Sequence, residues 1–251
     1  MLRDVELFYD QLAENFHLIF EDWNTSMQRQ GAALKHILNR ELGSSRPLRI
    51  LDCACGIGTQ ALPLAQLGYD VTASDISTAA VARARAEASA RDLHIQFLVA
   101  DIRDLSAMTQ DNFDVALCLD NALPHLESDD ELFRALSQIR SKLRSGGRFL
   151  ASIRDYDALL QQRPVVQAPA FYSDHGRRCI VHQLWDWLDE RRYLFHLFIT
   201  RELQDKWDAQ HYVSNYRAVR RDELSTLAQA AGYTRCRWSD EFYQPLLIAT
   251  V

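Results

Sequence analysis

A short apolar strand that runs into a glycine-paired turn constrains this chain more than any other segment. Residues 49–59 read Arg-Ile-Leu-Asp-Cys-Ala-Cys-Gly-Ile-Gly-Thr, so an acid at Asp52 is followed by Gly56 and Gly58. The glycines let the backbone turn tightly and approach a ligand, and the helix that follows offers unpaired N–H groups at its start. The segment therefore predicts a cradle for a nucleotide cofactor.

A second acid follows at the end of the next strand. Residues 69–75 form a short apolar segment that ends at Asp75, about 17 residues beyond Gly58. A carboxylate at this spacing can accept hydrogen bonds from both ribose hydroxyls of a nucleotide. Asp75 would otherwise cap the following helix, but Ser77 can fill that position. For Asp52 two interpretations stay open: contact with a cationic head group of the cofactor, or bonding to the backbone of its own turn.

The order of the predicted elements is typical of a parallel sheet covered by helices. We predict helices at 5–20, 26–42, 59–67, 77–91, 129–144 and 221–231, and strands at 48–53, 69–75, 94–100, 113–119, 147–154, 234–238 and 243–250. Gly146-Gly147 is expected to end the helix before it. The chain is therefore expected to be α/β and Rossmann-like, with a mostly parallel seven-stranded sheet, helices on both faces and N-terminal helices.

Residues 158–219 interrupt this alternation. Aromatic and β-branched residues at 178–188, 191–203 and 206–219 are separated by short polar turns, which predicts an inserted antiparallel β meander. We expect one domain over 1–251, with a helical cap at 1–45, a core at 46–157 and 220–251, and the meander between. The meander is either a lid or, because one aromatic face lacks a core to pack on, a homodimer interface.

Composition and charge exclude several classes of function. The formal net charge is −6 and no Lys/Arg block is present, which argues against a nucleic-acid partner. No apolar run reaches the roughly 18 residues that a membrane span needs, and Met1–Glu6 lacks a signal-peptide pattern. We therefore expect a cytoplasmic protein without a membrane partner.

The cysteines do not predict a metal site. The chain has five, an odd number scattered along its length, which is typical of reduced thiols. Cys53 and Cys55 are one residue apart, and no second Cys/His pair stands at ligand spacing. We interpret them as small packing residues.

The glycine turn alone does not decide the cofactor. Residues 56–61 also satisfy the G-x-G-x-x-A form of the dinucleotide fingerprint, which keeps a nicotinamide or flavin enzyme open. Two features favour another cofactor. Asp52 lies where it can meet a cationic or amino group, and the chain continues into an inserted sheet rather than a second mononucleotide-binding half.

Residues 51–59 resemble the first motif of the class I S-adenosylmethionine-dependent methyltransferases. Residues 119–126, Leu-Asp-Asn-Ala-Leu-Pro-His-Leu, and 153–157, Ile-Arg-Asp-Tyr-Asp, are similar to segments of glycine and glycine/sarcosine N-methyltransferases, and 23–29 is compatible with the same group. The resemblance spans residues 23–157. It implies S-adenosylmethionine as cofactor, S-adenosylhomocysteine as product, and a small-molecule acceptor, in particular the amino group of an amino acid or related metabolite.

The resemblance also implies roles for individual residues. Asp75 would bind the ribose, Gly56 and Gly58 would contact the methionine part, and Arg29 would hold the methionine carboxylate. Adenine would contact Asp101 and Ile102 at the end of the third predicted strand. The full set of expected cofactor contacts is Trp23, Arg29, Asp52, Ala54, Gly56, Gly58, Asp75, Ile76, Asp101, Ile102 and Leu119.

On the acceptor side, the resemblance implies that Asn121 and Arg154 contact the amine and the carboxylate of the substrate. A guanidinium pairs well with a carboxylate, so Arg154 favours an acidic acceptor; the alternative is a surface ion pair with Asp155 or Asp157. Asp120 stands where those relatives lead us to expect glycine. Its added negative charge favours a larger or cationic amine.

Methyl transfer from a sulfonium is an in-line displacement, so the protein mainly has to align and desolvate an unprotonated acceptor. His125, with a reference pKa of about 6.5, either takes a proton or merely packs beneath its loop. Tyr156 completes the predicted catalytic set. The aromatic residues Tyr9, Trp23, Tyr156 and Tyr172 line a pocket or belong to the core. Alternative functions are a small-molecule O-methyltransferase, a nicotinamide-dependent oxidoreductase and a non-catalytic S-adenosylmethionine-binding protein.

Overall fold

The computed structural model describes residues 5–43 and 46–251. Residues 1–4 and 44–45 of the predicted helical cap lie outside the described residues. The helices are α1 (Val5–Leu12), α2 (Trp23–Leu42), α3 (Ala61–Gln66), α4 (Thr78–Ser89), α5 (Asp129–Lys142), α6 (Tyr156–Gln162) and α7 (Arg221–Ala230). The strands are β1 (Arg49–Asp52), β2 (Asp70–Asp75), β3 (Gln96–Val99), β4 (Phe113–Cys118), β5 (Leu143–Ser152), β6 (Ala170–Asp174), β7 (Arg177–Trp187), β8 (Arg192–Leu203), β9 (Lys206–Arg217), β10 (Thr234–Ser239) and β11 (Leu246–Thr250).

Seven strands form one sheet in the order β10-β11-β5-β4-β1-β2-β3. β1 pairs in parallel with both β2 and β4, and β11 runs antiparallel between β5 and β10. The strand order reverses between β1 and β4, and open α/β sheets bind ligands beyond the carboxyl ends of their strands at such a point. The predicted Rossmann-like fold is confirmed, and its geometry places the glycine turn after β1 at this crevice.

Helices cover both faces of the large sheet. Side chains alternate between faces along each strand, so that Ile50 packs in the core shared with α2, α3 and α4, whereas Leu51 packs in the core shared with α5 and α7. Strands buried on both sides carry near-continuous apolar residues, as the fully buried strand β4 does. Among the described helices, none is long and apolar enough to cross a membrane.

The inserted segment forms a second, antiparallel sheet in the order β6-β7-β8-β9. The sequence predicted three of these strands; β6 and α6 are additions that the structure reveals. On the inner face Tyr193 stacks between Trp185 and Tyr216, with ring centroids 4.6 and 5.6 Å away. On the other face Phe198 stacks on His182 at 4.7 Å. The domain boundaries and the lid or interface role of this sheet stay predictions.

The end of the first predicted helix and the predicted role of Gly146-Gly147 differ from the structure. The helix expected over 5–20 ends at Leu12, and a separate 3₁₀ turn follows at Phe16–Ile19. Gly146-Gly147 does not end α5, which stops at Lys142 before the chain passes directly into β5. A Cβ on Gly147 would lie 2.9 Å from the carbonyl oxygen of Arg144, and the ladder with β4 shifts register here. The glycines therefore allow the close backbone approach at the irregular start of β5.

Candidate functional site

A cavity lies beyond the carboxyl ends of β1, β2 and β4, and its volume, open mouth included, is about 840 Å³. Seven of the expected cofactor contacts line it together, namely Ala54, Gly56, Asp75, Ile76, Asp101, Ile102 and Leu119. His125 lines it as well, together with Tyr9 and Phe16 from the N-terminal elements. The fold thus gathers residues that are far apart in sequence around one cavity.

The two glycines of the turn have different roles. Gly56 has a φ of +52°, faces the cavity and donates its N–H to Asp75 Oδ2 at 2.7 Å. Gly58 has a φ of +97°, and a Cβ there would lie 2.9 Å from Leu62 Cγ of α3. Gly58 does not line the cavity. Glycine is needed at position 58 because α3 packs closely against it. Of the two glycines, only Gly56 exposes its backbone to a ligand in the cavity.

Asp75 stands at the mouth of the turn, where the sequence predicts a ribose contact. Its Oδ1 accepts the Ser77 N–H at 2.9 Å, while Ser77 Oγ accepts the Ala80 N–H at 3.0 Å and caps α4. The capping role thus falls to Ser77, as expected. Burial raises the pKa of Asp75. Each carboxylate oxygen has accepted only one hydrogen bond from these groups, which leaves lone pairs for vicinal hydroxyls.

Asp52 lies directly beneath the turn and is fully buried. Neither carboxylate oxygen has a hydrogen-bond partner in the described part of the chain. Burial, with smaller contributions from the negative charges of Asp120 and Asp75, raises the pKa of Asp52 to about 8. The Ala54 N–H offsets part of this shift without meeting hydrogen-bond geometry. Asp52 does not itself line the cavity, so any cofactor contact would pass through its charge or a water molecule.

The adenine side contains a pair that sequence analysis missed. Arg103 Nη2 donates to Asp101 Oδ2 at 2.6 Å, and Arg103 Nη1 donates to Glu131 Oε1 at 2.6 Å. Asp101 is therefore already paired, and Ile102 and Ala100 present the apolar surface beside it. At this end of the cavity a flat base would therefore contact apolar side chains, because the Asp101 carboxylate is already paired.

His125 lies at the opposite end of the cavity with both ring nitrogens engaged. Nδ1 lies 3.1 Å from the carbonyl oxygen of Asn215 and so carries the proton, while Nε2 accepts from the Tyr9 hydroxyl at 2.8 Å. Burial lowers the pKa of His125 to about 3. The imidazole is therefore neutral at physiological pH and its basic nitrogen is occupied. This arrangement favours the packing interpretation over a proton acceptor with a pKa of about 6.5.

Asn121, Arg154 and Tyr156 form one network next to the cavity, although they do not line it. Asn121 Oδ1 accepts the Arg154 N–H at 3.0 Å, and its Nδ2 donates to the Tyr156 hydroxyl at 3.0 Å. Tyr193 of β8 joins this group, with its hydroxyl 2.9 Å from that of Tyr156. Loop, helix and inserted sheet thus fix the predicted acceptor-side residues in one place.

The Arg154 guanidinium is enclosed by aromatic rings. It donates to the Tyr193 hydroxyl at 2.9 Å and stands 4.8 Å, 5.0 Å and 5.1 Å from the ring centres of Trp185, Phe195 and Tyr216. None of the salt bridges found within 5–43 and 46–251 includes Arg154.

The structure does not contain the alternative considered from the sequence, a surface ion pair between Arg154 and Asp155 or Asp157. Asp155 caps α6 through the Ala158 N–H and pairs with Arg221, whereas Asp157 pairs with Arg220.

Three of the predicted residues lie away from the cavity. Trp23 is buried and donates to Thr59 Oγ1 at 3.0 Å, so it supports a residue that lines the cavity. Tyr172 donates to the Leu18 carbonyl and belongs to the core. Arg29 is exposed on α2, where the structure gives it no contact with the cavity.

Gln30 takes the inward position that Arg29 was expected to have. One residue along a helix turns the side chain by about 100°, so neighbours face different ways. Gln30 falls on the buried stripe of α2 with Trp23, Met27 and Leu34. A polar residue within an apolar stripe was the available signal for it.

Cations are scarce around the cavity, and no metal cluster is found. Arg103 is the one arginine that lines it, and no lysine does, among the residues that the structure describes. No group of three or more His, Cys, Asp or Glu side chains within that same part of the chain has the geometry of a metal site. The five cysteines are free.

Comparisons with known proteins agree with this geometry. A methyltransferase domain model matches residues 50–147. The chain is 24% identical over 235 residues to a glycine/sarcosine N-methyltransferase of Aphanothece halophytica, covering 92% of this chain and 83% of that protein. The structure of Streptomyces venezuelae DesVI superposes with a TM-score of 0.78 at 14% identity, covering 100% of this chain and 99% of that one. A Micromonospora echinaspora amino pentose methyltransferase with bound S-adenosylmethionine gives 0.72 at 19% identity, covering 90% and 91%.

The crevice, the glycine turn and the ribose-side acid all fit S-adenosylmethionine. Gly56 leaves backbone open to the ligand, Asp75 retains free lone pairs, and Asp52 is a buried acid without a partner among the described residues. Together with the methyltransferase domain match over residues 50–147 and the curated methyltransferase relatives, these features indicate an S-adenosylmethionine-dependent methyltransferase.

Proposed function

We propose that this methyltransferase methylates the amino group of an amino acid or a closely related carboxylated metabolite. One observation carries the proposal. The Arg154 guanidinium is held in an aromatic enclosure beside the cavity and has no carboxylate partner among the described residues. Removing a cation from water is costly unless an anion and hydrogen bonds compensate it.

The aromatic rings compensate the Arg154 charge only in part. Each cation–π contact contributes roughly 0.5–2 kcal/mol, and one hydroxyl accepts a single N–H of the five that a guanidinium offers. A substrate carboxylate would use the remaining donors in pairs. The same enclosure offers nothing comparable to a phenol or an uncharged alcohol, and this supports an acceptor that carries a carboxylate.

Asn121 supports an amine on that acceptor. Its amide orientation is fixed, because Oδ1 accepts from the Arg154 backbone and Nδ2 donates to Tyr156. Oδ1 retains a second lone pair that an amine N–H can use. Arg154 and Asn121 therefore offer complementary groups to the two ends of an amino acid, and the similarity to a glycine/sarcosine N-methyltransferase agrees with this choice.

When bound, S-adenosylmethionine supplies the electrophilic methyl group. The residues around the cavity position it and exclude water, since Tyr9 and Phe16 cover one side and Ile102 the adenine side. His125 does not remove the amine proton, because its Nε2 is occupied and burial lowers its pKa to about 3. The acceptor amine must lose its proton to solvent, so we expect the rate to rise with pH towards the amine's own pKa.

The experiment is a labelled-methyl screen over amino acids, amino sugars and phenols, followed by kinetics of Arg154→Gln. Arg163→Gln is the matched control, because Arg163 also lies over a tryptophan, 4.7 Å from the Trp187 ring centre, but is exposed. We expect Arg154→Gln to raise the acceptor KM by about 100-fold, the loss of a bidentate charged contact, while the affinity for S-adenosylhomocysteine stays within about three-fold.

Two results would contradict the proposal. One is a best acceptor without a carboxylate, such as a phenol or an amino sugar. The other is an equal loss of acceptor and cofactor binding in Arg154→Gln, which would mean that Arg154 only supports the fold.

A further inference from the structure

The inserted sheet has an inner face that packs on the core and an outer face that is partly exposed to solvent. Along β8 the inner-face residues are buried and the residues between them are half-buried, namely Leu194, His196, Phe198 and Thr200. Successive side chains of a strand point to opposite faces, so this second set lies outward, away from the Arg154 enclosure. On the three long strands the outward residues form five cross-strand rows, which in order along β7 are Arg178-Glu202-Trp207, Ile180-Thr200-Ala209, His182-Phe198-His211, Leu184-His196-Val213 and Asp186-Leu194.

The middle of the outer face is apolar and aromatic. The three middle rows contain no Asp, Glu, Lys or Arg. In the central row Phe198 stacks between His182 and His211, with ring centroids 4.7 and 4.3 Å apart and the planes within 8° of parallel. Depletion of charge and enrichment of aromatic rings are typical of the core of a protein–protein interface.

Two further apolar residues widen this surface. Phe171 of β6 pairs with Ile180 and is 65% exposed, and Val166 forms a bridge with Leu184 and is 57% exposed. Paired residues of neighbouring strands share a face, so both side chains extend the outer face beyond β7. A contiguous exposed apolar surface of this kind marks an interaction site.

Opposite charges stand at the two ends of the outer face. Arg178 and Asp186 lie on β7, each four residues from His182, and their side chains are 55% and 62% exposed. Arg178 pairs within the chain with Glu202, which is only 28% exposed, so the guanidinium is the part of that pair that faces solvent. Asp186 Oδ2 lies 3.0 Å from His196 Nε2. The positive and the negative group are therefore equally far from the central row.

This layout makes the outer face complementary to itself. A two-fold axis that crosses the strands at the central row brings each residue before His182 opposite the residue equally far after it, so Ile180 meets Leu184 and Arg178 meets Asp186. An axis along the strands would instead place Arg178 opposite Arg178, and like charges across an interface are costly. We propose that a second copy of this chain packs its outer face against this one about the first axis, with Arg178 of each copy paired to the partner's Asp186.

The dimensions of packed sheets allow these contacts. Face-to-face sheets lie about 10 Å apart with their strands within about 30° of each other, and residues four positions from the axis lie about 14 Å from it. The long side chain of arginine spans the remaining offset. None of the outer-face residues lines the cavity, so the pairing of two copies leaves the proposed methyl-transfer site open and is independent of the acceptor.

Reciprocal charge reversal tests the arrangement. The proteins are the wild-type chain, Arg178→Glu, Asp186→Arg and an equimolar mixture of these two variants, one of them carrying an affinity tag. Dimer dissociation constants are measured by sedimentation at low salt, where charge effects are strongest. In a dimer of either variant with itself, both symmetric contacts join like charges. In the mixed dimer, both contacts again join opposite charges.

We expect a wild-type dimer, a dissociation constant raised at least about 10-fold in each single variant, and a 1:1 mixed dimer within about three-fold of the wild type. Arg177→Glu and Glu190→Arg are the matched controls. Arg177 alternates with Arg178 and so points to the other side of the sheet, and Glu190 lies in the turn after β7. Both controls should dimerise as the wild type does. Unchanged S-adenosylhomocysteine affinity in every variant would show that the fold is intact.

Three results would overturn the inference. A wild-type chain that stays monomeric at tens of micromolar would leave the outer face to a different partner. A dimer that neither charge reversal weakens would use another surface. Two variants that are monomeric both alone and in the mixture would show that Arg178 and Asp186 act only on Glu202 and His196 of their own chain.

Discussion

The buried acid Asp52 should make the stability of the protein fall as the pH rises. Burial raises its pKa from the ordinary 3.8 to about 8 in the folded chain. Between these values the unfolded chain has lost the proton and the folded chain has kept it. The contribution of Asp52 is thus most favourable below pH 3.8 and is lost progressively until about pH 8. In this window the free energy of unfolding falls by about 1.4 kcal/mol per pH unit for one such group.

Comparison with Asp52→Asn isolates this effect, because asparagine has nearly the same shape and does not titrate. Urea unfolding at pH 5, 6 and 7 should show the wild type losing about 2.7 kcal/mol relative to the variant across the range. Asp120→Asn is the matched control. Its folded pKa of about 6 limits its own difference to the lower half of the range. A wild-type minus Asp52→Asn difference that stays flat from pH 5 to 7 would refute the reasoning.

Three further predictions concern the turn, the ribose side and the inserted sheet. Gly58→Ala should lower the free energy of unfolding in urea by about 2–4 kcal/mol, because the new Cβ would clash with Leu62. Gly56→Ala should lower it by only about 1 kcal/mol, the cost of the left-handed backbone, because a Cβ there meets no atom within 4 Å. Equal losses in the two variants would contradict this prediction. Asp75→Asn should weaken S-adenosylhomocysteine binding by about 1–3 kcal/mol in calorimetry, and unchanged affinity would remove Asp75 from the site. If the outer sheet face forms the predicted homodimer, sedimentation should show a wild-type dimer that Phe198→Glu converts to monomer, and a monomeric wild type would end that prediction.

Much of the fold followed from local signals, because strands, glycine turns and caps depend on nearby residues. The glycine turn after β1, the position of Asp75 at the end of β2 and the cap at Ser77 were all predicted in this way. Arg29 lies outside the cavity because neighbouring residues of a helix face different ways, and a motif match fixes sequence position but not the face of a helix. The neighbouring residue Gln30 could be recognised from its place between Met27 and Leu34 on the apolar stripe of α2.

The properties of His125 and Arg154 depend on partners far away in sequence. Tyr9 and Asn215 occupy the ring nitrogens of His125, and they come from opposite ends of the chain. The enclosure of Arg154 is built by the inserted sheet, whose strands were predicted but whose packing direction was not. The residues that bury His125 are far from it in sequence, so no local pattern indicates its burial. The reference pKa of a histidine therefore did not predict the lowered pKa of His125.

The shortage of positive side chains around the cavity also affects turnover. The reactive cofactor carries a sulfonium that disappears when its methyl group leaves, so the spent molecule is less positive by one unit. A pocket with surplus acid attracts the charged form more strongly than the discharged one. The carboxyl groups that attract S-adenosylmethionine therefore hold S-adenosylhomocysteine less strongly. Electrostatics thus favours replacement of the product by a new molecule of the methyl donor.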